Sequence, residues 1–583
     1  MYSKNHIRFL KLLISIIFIS AALLPVFLSV SQFMIRNPTT KSFSVVSASY
    51  TTHDRIQIES DDDWKNYLEF PGNGNASNPY IIQGYEINTT YAWGITISNT
   101  NAYFIIRNCQ VKAGLVGIRL YHVASGTARI KGNILKNNSW NGIRVEFSER
   151  TEVLDNYCSN NGESGIRLWG ASGSRVENNT CLENNCGGIC LYYSDNNIVR
   201  NNYCNDNKED GIRLNNSIGS EVNYNYCQKN GWNGIFLTNC TACTISNNVC
   251  GLNLYDGIKL EPVEEMTIIS NACFENGLVG IRVYYSNVIN IDDNHCNNNG
   301  EWGIAIAYSS NTAVVNNDCQ NNFYKGIFLS LAEISEVRDN YCSGHTEDGI
   351  TISDSNNIEV INNQCEKNDL NGLAVDNSDT VIIMHNNFSL NRNNGILVFE
   401  SIFCTISDNT CERNLLCGIS SFSTTYSYIN DNTLSQNLNY GIFFYSSNHS
   451  IIISNIIIEN SLYGVFLEVS SMYNFVHLNY FIDNNIGGTS QGWDSTDWYN
   501  LWYDETSKKG NYWSDWKKVV SFPIPPPELP PPPPPPPPGP SEIIPPPEIP
   551  PPPPPPPPIV KPGYPIDGPY SVMDIYPLKI KNL

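Results

Sequence analysis

Basic charge is scarce in this chain: 35 Lys and Arg face 56 Asp and Glu over 583 residues, a formal net charge of -21. Nucleic acid and anionic lipid surfaces both demand a field of Lys and Arg, so neither is expected as a general partner. Histidine and methionine are scarce too. The eight His and six Met are dispersed, with no two His in one motif. Copper sites want clustered imidazole, thiolate or thioether, so copper has little support from composition. Helical spacing of apolar residues is missing along the repeat described below. Long continuous apolar segments are missing too, except at the N-terminus, where Lys4, Arg8 and Lys11 precede an uncharged, apolar stretch from Leu12 to Ile35. A basic region followed by an apolar one directs export. The run is long for a cleaved signal and long enough to span a bilayer, and Ala48-Ser49 offers a distant cleavage site. Residues 1–36 are therefore read as a signal peptide or a retained anchor, with 37–78 as linker and N-terminal cap. The expected location is the cell surface or the extracellular space, with membrane contact through the N-terminal segment if it is uncleaved.

What the chain does have is a clock. Gly followed by Ile, Leu or Val opens a short apolar run at Gly94, Gly117, Gly142, Gly165 and onward to Gly464, every 23 residues except for one step of 25. Asn recurs fourteen residues after the Gly, from Asn108 through Asn156 to Asn455 (Asn133 falls sixteen after), and a second Asn runs from Asn138 to Asn460 with His345 as its exception. Cys lies two residues after the first Asn, from Cys158 to Cys365 and at Cys411, with Phe388 filling the break. Ser is frequent six residues after the Gly, as at Ser148, Ser194, Ser286 and Ser309. Gly-Ile-x-Leu alternates with period 2, and a constant coil length lets each strand pair with its own copy about 4.8 Å away. Stacked Asn side chains can donate and accept along their column. The expected fold is all-β: a single-stranded right-handed parallel β-helix of three parallel sheets and about 17 coils of 23 residues, spanning 79–488. A C-terminal cap at 489–522, a polyproline segment at 523–562 and a closing segment at 563–583 complete the chain.

The pattern resembles the parallel β-helix repeats of pectate-lyase-like proteins and, more closely, the NosD-type periplasmic proteins. "NPYIIQGYEIN" (Asn78 to Asn88) is similar to that group's first coil, and "GNYWSDW" (Gly510 to Trp516) with "YPIDGPYSVMDIYPL" (Tyr564 to Leu578) to its closing motif. The resemblance implies an exported β-helix and, through NosD, a link to copper. A fold is not a function. Where the relatives carry an Asp-rich loop, this chain has a duplicated proline run, "PPPELPPPPPPPPP" (Pro525 to Pro538) and "PPPEIPPPPPPPPP" (Pro545 to Pro558). Such a run reads as a stiff polyproline II spacer, or as a docking rod for a protein partner.

Eleven of the eighteen Cys stand in one column, which reads as structural packing by a small hydrophobe and not as metal ligation. Cys240 with Cys243, Cys186 with Cys190 and Cys404 with Cys417 lie outside that column, and no metal site is assigned. The outward positions carry more information. Two residues after the Gly stand Arg119, Arg144, Arg167, Arg213, Lys259 and Arg282, all in the first half of the repeat; four after it stand Tyr121, Glu146, Trp169, Tyr192, Glu261 and Tyr284. Aromatic faces take sugar rings and Arg forks take carboxylates, so Arg119, Arg144, Arg167, Trp169, Tyr192, Arg213, Lys259, Arg282 and Tyr284 are read as a binding face for an extended acidic polysaccharide or surface glycan, without turnover. The bland alternative is a solvated charged stripe. The enzymatic alternative is a polysaccharide lyase or glycoside hydrolase. It would draw its base from Lys259, Arg213 or Arg282 and hold Ca²⁺ with Asp210, Asp256 and Glu261, or use two of those carboxylates for hydrolysis. No cofactor is expected otherwise.

Overall fold

The computed structural model describes residues 50–515, except Tyr91, Asp497, Trp498 and Glu505, together with the backbone of Tyr564–Pro565 and Met573–Asp574. The expected signal or anchor, the polyproline segment and most of the closing segment lie outside the described residues. Among the described residues no helix is long and apolar enough to cross a membrane.

From Thr51 to Trp513 the chain winds through about eighteen turns of a right-handed parallel β-solenoid. One coil shows the plan. Ile143–Glu146 follows Gly142 and lies in what is termed here the glycine sheet. Glu152–Leu154 lies in the third sheet, and Tyr157–Ser159 in the cysteine sheet. Each strand pairs in parallel with the strand one coil on: Ile143 with Ile166, Val153 with Val176, Cys158 with Cys181. Parallel pairing starts at Thr51 and Ile56, inside the stretch expected to be linker and cap, and this adds the turn not counted from the glycines.

Two asparagine ladders hold the interior turns. Asn248 donates both its backbone N–H and its Nδ2 to Asn271 Oδ1, at 2.9 and 3.0 Å, while the same Nδ2 reaches Val222 O at 2.8 Å. This pattern runs from Asn133 to Asn511. The second ladder runs from Asn138 to Asn484 and closes on Gln491. Every amide of these two ladders thereby has a partner one coil away, which the interior requires because an unpaired buried polar group is costly. A serine ladder does the same at the third corner, as in Ser355 N–H to Ser378 Oγ at 3.0 Å.

One expected ladder position is corrected. Asn108 is exposed with a left-handed φ of 50°, and Cys109 takes the ladder place, its N–H donating to Asn133 Oδ1 at 3.0 Å. The two-residue insertion is split between corners. Ile95 pairs with Ile118, a step of 23; Phe104 with Ala128, a step of 24; and Ile118 with Ile143, a step of 25. The cysteine column faces inward as expected: Cys158, Cys181, Cys204 and their successors are fully buried, and all eighteen Cys are free thiols. Burial with no cation nearby pushes the Cys204, Cys250 and Cys296 thiols up, so they stay neutral. Beyond Cys411 the column enlarges through Leu434, Ile457 and Phe481 to Trp513. There Phe481 and Trp513 stack at 4.2 Å to close that end, and buried Trp64, stacked on Tyr80 at 4.4 Å, closes the other.

Candidate functional site: the outer face of the glycine sheet

The strand after each glycine turns its first and third residues inward and its second and fourth outward. In Ile166–Trp169, Ile166 and Leu168 are buried while Arg167 and Trp169 face out. In-register pairing aligns these outward residues: Arg119 with Arg144, Arg144 with Arg167, and Tyr121 with Glu146. The two columns therefore share one face.

That face is less open than the sequence suggests. Within the column two residues after the glycine, Cys190, Ala305, Thr351, Ala374 and Ser420 are buried, and the cation stems are mostly covered. Rings from the turn just before the glycine fold over them. The Arg119 guanidinium lies 4.4 Å from the Trp93 ring and 4.7 Å from Tyr121. Arg213 sits over Trp232 at 5.1 Å, and Arg282 over Trp302 at 5.9 Å. Arg167 lies between Trp169 and Tyr192, 5.3 and 5.0 Å from their rings.

Each predicted cation also has a carboxylate beside it. Glu146 bridges Arg119 at 2.8 Å and Arg144 at 2.7 Å. Arg167 is 3.6 Å from Glu163, and Lys259 is 2.7 Å from Glu261. Arg213 pairs with Asp210 at 2.6 Å and lies 3.5 Å from Glu209. Arg282 pairs with Asp256 at 2.9 Å and Glu301 at 3.1 Å, and donates to the Tyr284 hydroxyl at 3.0 Å. Burial works against the charge on Arg213 and Arg282, but Asp210 and Asp256 outweigh it and hold both guanidinium groups above their usual value. The stripe is thus a neutralised network of ion pairs and cation–ring contacts, with no net positive field of its own.

Asp210 and Asp256 are engaged in the turn that precedes the sheet. Asp210 Oδ1 accepts the N–H and Nδ2 of Asn233, Asn233 Oδ1 accepts the N–H of Asp256, and Asp256 Oδ1 accepts the N–H of Val279. This is a further short ladder, one residue before the glycine. Burial pushes the Asp256 carboxyl up, against the pull of Arg282. Glu261 faces Lys259 and does not converge with Asp210 and Asp256, and no group of three or more His, Cys, Asp or Glu among the described residues is arranged to hold a metal ion. Sequence reasoning missed Trp93, Trp232 and Trp302, the acids Glu163, Glu209 and Glu301, and Lys325 with its partners Glu347 at 2.6 Å and Asp348 at 3.2 Å. All fall one or two residues before a glycine, so the same clock, read backwards, marks them.

In the last coils the face turns aromatic. Phe443, Phe466 and Trp493 follow one another in register, joined by Tyr440 and Tyr463 from the preceding turns. Phe466 and Trp493 stack at 5.6 Å and 2°, Tyr440 lies 4.7 Å from Phe466, and Tyr463 lies 5.5 Å from Trp493.

A family model described as the right handed beta helix region matches residues 93–250 and 233–388. A second, described as periplasmic copper-binding protein (NosD), matches residues 342–517. No curated protein matches the chain. Among solved structures, a double mutant of the periplasmic alginate epimerase AlgG is similar at 11% identity and TM-score 0.32, covering 70% of this chain and 85% of that one. The mannuronan C-5 epimerase AlgE4 A-module of Azotobacter vinelandii shows 12% identity and TM-score 0.31, over 48% and 85% of the two chains. Pectate lyase Pel9A shows 13% identity and TM-score 0.22, over 44% and 72%. The residues present do not fit a copper site. Within 342–517 the thiols of Cys342, Cys365 and Cys411 are fully buried in the core, and His345 spends both ring nitrogens on the ladder, accepting from Asn322 N–H at 3.1 Å and donating to Cys319 O at 3.1 Å.

Proposed function

The chain belongs to the right-handed β-helix family, and from that premise we propose that it binds an extended polysaccharide along the outer face of the glycine sheet, outside the cytoplasm and without turnover. The observation that carries this reading is the recurrence, on one continuous face, of cations paired with carboxylates, with a ring beside Arg119, Arg167, Arg213, Lys259 and Arg282; Cys190 and Phe236 interrupt the series. A polymer with a short repeat meets similar chemistry at most of the steps of about 4.8 Å between Arg119 and Arg282. A guanidinium held this way uses some of its five donors on the acid and presents the rest, already ordered, to a hydroxyl or carboxylate. Because the cations are paired, affinity rests on ordered donors, ring edges and tyrosine hydroxyls more than on net charge. An acidic glycan is therefore favoured over a neutral one only modestly.

Absence of turnover is supported by how the candidate catalytic groups are used. Asp210 and Asp256 are buried acceptors of backbone N–H groups, and Lys259 and Glu261 are spent on each other. Export is supported by the basic and apolar N-terminus. The test is affinity electrophoresis of the purified chain through gels cast with neutral and acidic polysaccharides. Retardation is expected, reduced in the Trp169→Ala variant and abolished when Arg119, Arg144 and Arg167 are all replaced by Ala. Each exposed contact is worth about 1 kcal/mol or less, so single changes act weakly. Equal retardation of the triple variant, once folded as wild type by circular dichroism, leaves the stripe a structural network. Release of ultraviolet-absorbing unsaturated sugar in the presence of Ca²⁺ gives the reading to a lyase.

A further inference from the structure

The aromatic end of the glycine sheet is where the chain leaves the fold. Asp515, the last residue described before the proline-rich segment, accepts a hydrogen bond from Gln491 Nε2 at 2.7 Å, and Gln491 is two residues from Trp493. Among the described residues, Gly492–Asp494 is the last strand of this sheet, so Trp493 stacks on Phe466 on one side and meets no further strand on the other. Rings crowd here as nowhere else on the face: Tyr440, Phe443, Tyr463, Phe466 and Trp493 form one connected cluster in the last coils. Grooves lined by Tyr, Phe and Trp are what polyproline II segments dock on, because proline rings pack on aromatic surfaces and the rod arrives already ordered.

We propose that this cluster is the docking site for the chain's own first proline run, Pro525–Pro538. Length permits it. From Asp515 to Pro523 the chain can extend about 28 Å at ~3.5 Å per residue. The nine consecutive prolines, Pro530–Pro538, extend about 28 Å at ~3.1 Å each, the width of about six strands. The rod would run over Trp493, Phe466 and Phe443 toward the middle of the face. The polymer site would then be confined to the coils that carry the cations. This inference stands independently of the polysaccharide reading, since it rests on the rings and on where the chain departs.

The test uses the full chain with Tyr463→p-benzoylphenylalanine, irradiated at low concentration and mapped by mass spectrometry. The expected adduct joins position 463 to a peptide from 523–562 of the same molecule. Adducts only to other segments, or only between two molecules, overturn the proposal. A second measurement needs no photochemistry. Acrylamide quenching of the Trp493 emission, obtained by subtracting the Trp493→Phe chain, is compared before and after Pro530–Pro538 is replaced by Gly and Ser of equal number. Quenching is expected to rise severalfold on replacement, and an unchanged value overturns the proposal. Neither readout involves a glycan, so the two readings fail separately.

Discussion

Asn271 shows what one ladder position does. Its Oδ1 accepts the N–H and Nδ2 of Asn248, and its Nδ2 donates to Ile245 O, Ile269 O and Asn294 Oδ1. Asn271→Ala strips partners from several buried groups at once. At about 1–3 kcal/mol for each buried group left unpaired, a loss of about 3–5 kcal/mol is expected, read as a lower urea midpoint. His345 is the one imidazole in the second ladder. Burial pushes it down to about 4. The unfolded ring takes up a proton near pH 6.5, so the folded state with its neutral ring is fully favoured above that pH and loses stability as pH falls toward 4. His345→Asn restores the amide found elsewhere in the column. It is expected to remove the slope in melting temperature between pH 6.5 and 4, without loss at pH 7; a slope that persists would assign the acid response to other groups. The period exposes His345 as an exception, but its tautomer follows only from the two backbone groups it meets in neighbouring coils.

At the level of the strand, the recurring glycines were plain in the sequence and their reason was not. Gly234 needs no left-handed backbone. A Cβ there would lie 2.6 Å from Gly257 O and 2.9 Å from Asn253 Nδ2, because the next coil's turn presses against the strand start. Gly234→Ala is expected to cost about 1–3 kcal/mol, the range for overpacking, measured as a lower denaturation midpoint; the neighbouring backbone cannot retreat without breaking the ladder. The cation column was legible for the same reason as the glycines, since residues on the clock stack. Their partners were not. Glu146 is 27 residues from Arg119, and Trp93 reaches Arg119 from the turn before the previous strand, so pairing depends on how two adjacent coils face each other.

For the solenoid as a whole, stability is close to a sum over coils and their interfaces. Removing Gly257–Val279, one complete coil of 23 residues, joins Asp256 to Gly280 and leaves every column in register. That deletion is expected to preserve the β spectrum and a cooperative melt within a few degrees of wild type. Removing Ile258–Val279, one residue fewer, leaves Gly257 as one extra residue in the turn before Gly280, while the later strands keep their 23-residue pairing with one another. A cooperative melt at a lower midpoint is expected, followed by circular dichroism, because corners absorb insertions, as the steps of 24 and 25 show; equal melts for the two deletions would mean that this corner has room to spare.

By itself the sequence determined the coil: its length, its three strands, which columns point inward and which outward. It could do so because parallel in-register stacking makes residues one period apart into spatial neighbours, so the repeat in the sequence is the contact map along the axis. Only the tertiary structure decided matters that cross from one column to another. It placed Cys109 and not Asn108 in the ladder, because the insertion is divided between two corners. It also covered the outward cations with rings and paired them with acids, because those contacts mostly join the turn before one glycine to a strand of the neighbouring coil, with Asp210 and Arg213 flanking a single glycine. A period carries no information about distance across the coil, and there the side chains themselves set the geometry.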